Sequence, residues 1–539
     1  MVKHHLALAI MFGLGISGAN AGDFTFSPTI DSGISATRVK SENDVLKRQD
    51  IVTLNELDMD VDYDASVFKS KLNLNAFDIR YSDFSEGDGS FFTYDWVNTL
   101  SLLNDNWISE AYYESDYEIL NTVRGTFNDF MYEAGEVHDI ERYGARTSYD
   151  LPEVSRVQGN VNASFTGNKV TSNQNKSLNR QRQFKVDFGL GQTSSRDPLQ
   201  WSLSGYGGRT ENRFDKVYEF RGGNALIRIP LTDLFKVVAL GDYSHHVNPA
   251  TDSFGEQEDA IEYATYGLGL AYYDRDRDNL VQLSVSRDKE AEKFFPGADF
   301  RWNLGYDHYV KGSFTRRFYG DSGSFKYYYG SERNRIELHY DEELDLRYTL
   351  EPTLINEGLF VCQDGIEAFD DSLCWQPDEL NYELQPGESL YPKFRMDYPL
   401  VERLALSRSL GFNWFYNGDI FTTKFQLFKN LMEEIGSHYE QDSDNVDLFL
   451  SHRLNSTNSL DYEFKYRKMV LNPIGTTTHD NLYKVTYKHE LNSRAQWSFA
   501  VQHVRKDSDD RSVNFDETRV TLSYEHHFGK RNKRVRELF

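Results

Sequence analysis

The chain has 539 residues, of which 84 are Asp or Glu and 59 are Lys or Arg, and its formal net charge is −25. Such a charge excludes a nucleic-acid partner, whose phosphates it would repel. No run of 18 apolar residues follows residue 21, which excludes a transmembrane helix.

The N-terminus reads as a signal peptide over residues 1–21. Lys3 supplies the positive start, Leu6 to Ile16 the short apolar stretch, and Ala19-Asn20-Ala21 the cleavage signal. The mature chain is therefore expected to begin at Gly22 and to leave the cytoplasm. No cysteine follows the cleavage site, so a lipoprotein is not expected.

Beyond that point, apolar and polar residues alternate with period two, the primary signal of a half-buried strand. In Glu56 to Asp64, Leu57, Met59, Val61 and Tyr63 face one way, and Asp58, Asp60 and Asp62 face the other. Val161, Ala163 and Phe165 alternate with Gln158, Asn160 and Asn162, and Phe184, Val186 and Phe188 alternate with Lys185 and Asp187. Later, Leu460, Tyr462, Phe464 and Tyr466 alternate with Asp461, Glu463, Lys465 and Arg467. Tyr483, Val485 and Tyr487 repeat the pattern, and Val520, Leu522 and Tyr524 carry it to Phe528.

Alternation alone fits a large soluble all-β protein as well as a membrane barrel. Three features favour the barrel. The apolar positions are rich in Tyr and Phe (34 and 37 in the chain), the residues of interfacial girdles. The pattern runs without a linker or composition break. Short and long connections also alternate, as periplasmic turns and outer loops do. Tight turns are predicted at Asp64–Val67, Pro230–Leu234, Asp274–Asn279, Pro399–Arg403, Asn455–Ser459 and Asn492–Ala495. Long outer loops are predicted at His245–Glu262, Asp288–Ala298, Glu351–Ser389, Gly418–Asp444, Val470–Asp480 and Lys506–Phe515.

The expected fold is all-β: a single antiparallel transmembrane barrel of the Gram-negative outer membrane over residues 22–528, with roughly 18–22 strands. Residues 529–539 form a basic tail that includes Lys530 to Arg536. The tail reads as solvated on the periplasmic side; its other reading is a contact with an anionic partner or lipid head group.

The polar faces give lumen-facing candidates: Asp58, Asp60, Asp62, Lys69, Lys71, Gln158, Asn160, Asn162, Asp461, Glu463, Lys465 and Arg467. At the first turn, Tyr63 opposite Phe68 would set Asp62 against Lys69, Asp60 against Lys71, Met59 against Leu72 and Leu57 against Leu74. At the turn near Asn455, Arg453 would meet Asp461 and Asp447 would meet Arg467, with Leu450 against Phe464 and Leu448 against Tyr466 toward lipid. The two cysteines, Cys362 and Cys374, lie in the longest predicted outer loop and are expected to bond in an oxidising compartment. With Phe369 and Trp375 nearby, that loop reads as a stapled acidic segment able to cover a pore mouth or contact a saccharide.

No catalytic, metal or cofactor constellation emerges. Asp58, Asp60, Asp62 and Asp64 resemble a calcium loop, but the sixth and twelfth positions are Tyr63 and Lys69 where that loop requires Gly and Glu. Gly320-Asp321-Ser322-Gly323 reads as a hairpin turn, and the fourteen His show no zinc spacing. A non-enzyme without cofactors is expected.

Four segments carry a family resemblance: FTFSPTIDSGISATRV at the mature start, YPLVERLALSRSLGFNWFYNG, LNSTNSLDYEFKYR, and the closing TRVTLSYEHHF. Together they resemble a family of β-barrel porins, closest to its branch of PEP-CTERM-system-associated outer-membrane proteins. Eleven residues follow Phe528, a departure from barrels that end on an aromatic residue. The resemblance implies an outer-membrane conduit tied to exopolysaccharide export. The implied partners are outer-membrane lipid and lipopolysaccharide, the barrel-assembly machinery and polysaccharide export components. The alternative is a structural or surface-interaction protein whose acidic loops bind glycans or cells. A receptor with an N-terminal plug domain is not expected, because strand alternation begins within a few residues of Gly22.

Overall fold

A computed structural model describes residues 22–528 apart from positions 42–46, 85–87, 120–136, 152–156, 173–176, 193–198, 212–216, 248–259, 275, 290–291, 351–352, 364–373, 378–381, 383, 398–399, 435–439, 473–474 and 510–512. Residues 1–21, read from the sequence as a signal peptide, and residues 529–539, read as a basic tail, lie outside the described residues. The chain divides into two units, 346–404 and the remainder.

The larger unit is one antiparallel sheet of 24 strands. It closes on itself where the first strand, Asp23–Lys40, pairs with the last, Phe515–His527, from Thr29 opposite His527 to Lys40 opposite Asp516. Closure removes both free edges, the condition for a sheet to span lipid. The chain thus forms a closed antiparallel β-barrel, consistent with an outer-membrane barrel, with more strands than the alternation suggested. One strand that the alternation hid has apolar residues on both faces. It is Phe421–Glu434, in which Leu427 and Phe428 are adjacent and so point to opposite sides.

The outer face follows from exposure. Phe26, Ile30 and Ile34 on the first strand, Val520, Leu522 and Tyr524 on the last, and Phe499 and Val501 on the strand before the last are all exposed. In a bilayer this row meets lipid. Side chains one residue away point into the lumen. With strands about 4.8 Å apart and tilted about 40°, 24 strands enclose a lumen of roughly 20–25 Å backbone radius. Wall side chains alone cannot fill that width.

Connections at 65–67, 231–234, 275–278, 454–457 and 493–494 lie at the end of the barrel that holds the start of the first strand and the end of the last. The strand ends that flank positions 120–136 and 248–260 lie at the opposite end. Several predicted loops are strands instead. Gly418–Asp444 contains the whole of Phe421–Glu434, and Val470–Asp480 reduces to a connection at 473–475. Asp288–Ala298 shortens to 289–293, because Phe294–Gly305 is a strand. The predicted turn Pro399–Arg403 is the start of the strand Leu400–Asn417.

Both predicted hairpin registers are displaced by two residues. Across the first turn Ala65 N–H donates to the Phe68 carbonyl at 2.9 Å. Asp64 therefore faces Lys69, Asp62 faces Lys71, Met59 faces Leu74 and Leu57 faces Ala76. Across the other, Asn455 Oδ1 accepts from the backbone N–H groups of Thr457 and Asn458, both at 2.9 Å. This Asx-type turn sets Arg453 opposite Ser459, Asp447 opposite Lys465, Leu448 opposite Phe464 and Leu450 opposite Tyr462. A slip of two keeps each side chain on its face, whereas a slip of one would turn the strand inside out.

Toward the end with long connections, the lumen-facing side chains pack rather than line open space. Val52, Ile79, Tyr81 and Phe91 form one buried cluster, and Val39, Leu482, Val504 and Phe515 another.

The smaller unit holds a three-stranded sheet, Thr353–Gln363 between Cys374–Trp375 and Glu388–Asp397. The stretch read as a plain outer loop is therefore folded. Cys362 and Cys374 are paired residues joined by a disulfide, with Cα atoms 4.1 Å apart. Gly358 sits at a register shift with φ of +116°, a conformation that suits glycine and few other residues. Trp375 is exposed, and Phe369 lies outside the described residues.

Candidate functional site

Near the short-turn end, the lumen holds a cavity of about 900 Å³. The strand Arg48–Asp64 contributes Asp58, Asp60 and Asp62. Gly89–Leu102 contributes Asp95, and Trp107–Ile119 contributes Glu114 and Asp116. From the other side come Asp461, Glu490 and Glu525, with Asp419 from the turn at 418–420. Against these ten carboxylates, Arg453 and Lys488 are the Lys or Arg side chains that line the cavity, together with His527.

The acids are held by local bonds. Asn75 Nδ2 donates to Glu56 Oε1 and to Asp58 Oδ1, both at 2.5 Å. Asp461 accepts from the Ser451 hydroxyl at 2.6 Å and meets the Lys488 ammonium at 2.8 Å. Glu525 lies 2.8 Å from His527 Nε2 and accepts from the Gln496 amide. His527 Nδ1 lies 2.9 Å from the Thr29 hydroxyl across the barrel's closing seam.

The opposite wall differs. A second lumen cavity of about 690 Å³ is lined by Arg228, Arg301, Lys311 and Lys326 together with Asp299, Glu337 and Asp341. Lys326 pairs with Glu337 at 3.0 Å. Cations and carboxylates nearly balance there, so of the two cavities the first is the acidic one.

The remaining sequence-derived candidates occupy other places on the wall. Lys69 and Lys71 continue the row of Asp62 toward the turn, and Lys69 lies 3.4 Å from Asp64. Gln158, Asn160 and Asn162 sit on a separate strand, where the Asn162 amide donates to Asp187 at 2.8 Å. Glu463 and Lys465 pair with each other at 2.9 Å. Arg467 binds Asp480 near the far end of the lumen, and Asp480 also lies 3.3 Å from the fully buried Lys506.

Sequence reading missed Asp95, Glu114 and Asp116, and also Asp419, Glu490 and Glu525. Tyr112 and Tyr113 are adjacent, as are Trp96 and Val97, so no clean alternation marked the strands that carry the first three. The arrangement supplies a fixed negative field in a water-accessible space. Among the described residues no group of His, Cys, Asp or Glu is placed to hold a metal ion.

No family model matches the sequence, and no curated protein matches it. Among solved structures, the chain is similar to the FrpB iron transporter from Neisseria meningitidis (F5-1 variant, apoprotein form), with 8% identity, a TM-score of 0.41, and coverage of 96% of this chain and 82% of that one. It is similar to the siderophore receptor PirA from Pseudomonas aeruginosa at 9% identity and a TM-score of 0.39, covering 93% and 80% of the two chains. A loop L8 deletion mutant of OmpT, an outer membrane protein of Vibrio cholerae, matches at 7% identity and a TM-score of 0.31, with 94% and 100% covered.

Proposed function

We propose that the chain is a passive conduit of the Gram-negative outer membrane whose acidic wall favours cationic and neutral solutes over anions. The observation that carries this reading is the cavity where ten carboxylates meet two Lys or Arg side chains. A cleft lined by one sign of charge concentrates counter-ions and repels co-ions. The test is conductance of the purified barrel in planar bilayers under a KCl gradient. The expected reversal potential favours K⁺. An anion-favouring potential, or inserted barrels that never conduct, would refute it.

The finer reading, a conduit for exported polysaccharide, rests on the resemblance to PEP-CTERM-associated barrels, with export components and the barrel-assembly machinery as its partners. The same wall narrows that reading, because an acidic polymer would be repelled; the cargo would be neutral or amino-sugar-containing. Deletion of the gene should then deplete surface polysaccharide while the cells retain intracellular precursors. Unchanged surface polymer would reject it.

A further inference from the structure

We infer that the outer face of the barrel carries a docking site for a phosphorylated glycolipid of the lipid A type. The inference rests on the outer-membrane placement of the barrel and not on what the lumen conducts. A groove of about 430 Å³ is floored by Ala111, Ala145 and Ala163 and walled by Leu100, Phe165 and Phe184. These small residues sit side by side on adjacent strands: Ala111 is opposite Ala145, and Ala145 is opposite Phe165, which in turn faces Phe184. Leu100, Phe165 and Phe184 are exposed and belong to the lipid-facing side of the wall. A flat floor between taller walls matches the cross-section of an acyl chain.

Cations cluster at the Phe184 end of this groove. Arg209 is directly across from Phe184. Arg182 is two residues further along the same strand and on the same face, about 7 Å away. Arg221 lies across from Gly207, two residues from Arg209. Arg209 pairs with Glu211 at 2.8 Å and with Glu219 at 3.6 Å, whereas Arg182 and Arg221 are exposed and make no ion pair among the described residues. Beside the groove, Tyr94, Tyr113 and Tyr143 stack in series at 5.2 and 6.2 Å, as aromatic residues do at a membrane interface. Gly167 makes room for this ladder, since a Cβ there would lie 2.3 Å from the Tyr143 ring.

An acyl slot ending at guanidinium groups and an aromatic girdle complements a chain bearing an anionic head. Guanidinium groups bind phosphate in bidentate fashion. A phospholipid with one phosphate offers less to Arg182 and Arg221 together than a bisphosphorylated head does.

The test is native mass spectrometry of the delipidated full-length barrel with added bisphosphoryl lipid A, its dephosphorylated form, or phosphatidylglycerol. The expected result is a lipid A adduct that survives collisional activation, with at least tenfold less adduct for the dephosphorylated form and for phosphatidylglycerol. Arg182→Glu with Arg221→Glu should remove that preference, and Ala145→Trp should reduce all acyl binding. The arginine variants alter exposed side chains, so they remain informative if Ala145→Trp does not assemble. Equal adducts in the arginine variants, or equal retention of all three lipids, would overturn the site. A barrel–barrel dimer whose contact is abolished by Ala145→Trp would instead assign the groove to a second copy. Failure of the barrel to insert in bilayers at all would count against the outer-membrane placement, a result distinct from an inserted barrel that retains no lipid A.

Discussion

The Lys488 ammonium lies 2.8 Å from the Asp461 carboxylate, on the lumen side of two neighbouring strands. Lys488 is one of two Lys or Arg side chains among the cavity's ten carboxylates, so it offsets a field that is otherwise acidic. A unit charge about 7 Å from a permeating ion in water is worth about 0.6 kcal/mol, a factor of roughly 2 to 3 in local concentration. Lys488→Ala should therefore raise the K⁺ over Cl⁻ permeability ratio. Asp58→Asn with Asp60→Asn and Asp62→Asn should lower it by more. Reversal potentials at low salt provide the measurement, and the differences should shrink in 1 M salt as screening shortens the reach of each charge. A ratio that ignores all four substitutions would place these residues off the ion path.

Leu448 faces outward, opposite Phe464 on one neighbouring strand and Phe425 on the other. An arginine there would sit among aromatic and aliphatic side chains in hydrocarbon. Leu448→Arg should cost about 2–4 kcal/mol near the bilayer midplane and lower the temperature at which the barrel loses its compact electrophoretic mobility. The neighbouring lumen-facing substitution Asp447→Arg should not. Equal heat stability of the two variants would reject the assignment of faces.

The faces were legible in the sequence because period two survives any slip of two residues. Asp58, Asp60 and Asp62 stand opposite Val61 and Met59 whether Asp62 meets Lys69 or Lys71. Register was less legible because it depends on how each turn closes. Asn455 accepts two backbone N–H groups and so tightens its turn by a geometry that composition does not display. The strand count fell short for a related reason. A lumen wide enough for water does not require polar residues, so Phe449 and Phe428 face inward beside outward Leu448 and Leu427 and erase the alternation. The acidic wall was partly legible: Asp58, Asp60, Asp62 and Asp461 lie in alternating strands, whereas Asp95, Glu114 and Asp116 lie in strands with adjacent aromatics, and Asp419, Glu490 and Glu525 lie in a turn or near strand ends.

Asp480 is buried between Lys506 and Arg467. Removing the carboxylate would take away the counter-charge that Lys506 and Arg467 share inside the wall, and breaking a buried ion pair from one side costs about 3–5 kcal/mol. Asp480→Leu should lower the urea midpoint of the barrel in micelles by that equivalent. Lys506→Met should cost less, because Arg467 still answers Asp480. If Lys506→Met proves the more damaging change, the packing of the lysine stem outweighs the charge.

The disulfide and the sheet that contains it should be separable from barrel assembly. Cys362 and Cys374 are joined within the three-stranded sheet, while the barrel strands Asn334–Leu350 and Leu400–Asn417 pair with each other directly. The wall is therefore continuous without the intervening strands. Closing a loop of about a dozen residues stabilises the folded form by roughly 3 kcal/mol in the chain-entropy model. Unreduced peptide mapping should recover the Cys362–Cys374 crosslink. Cys362→Ala with Cys374→Ala should increase proteolysis within 353–397 and leave the barrel's heat-modifiable mobility unchanged. Replacing residues 353–397 with a short Gly-Ser linker should likewise yield a folded barrel. Loss of assembly in that variant would show that the sheet is needed to bring the two flanking wall strands together. Assembled barrels with altered conductance would instead connect the sheet to the pore.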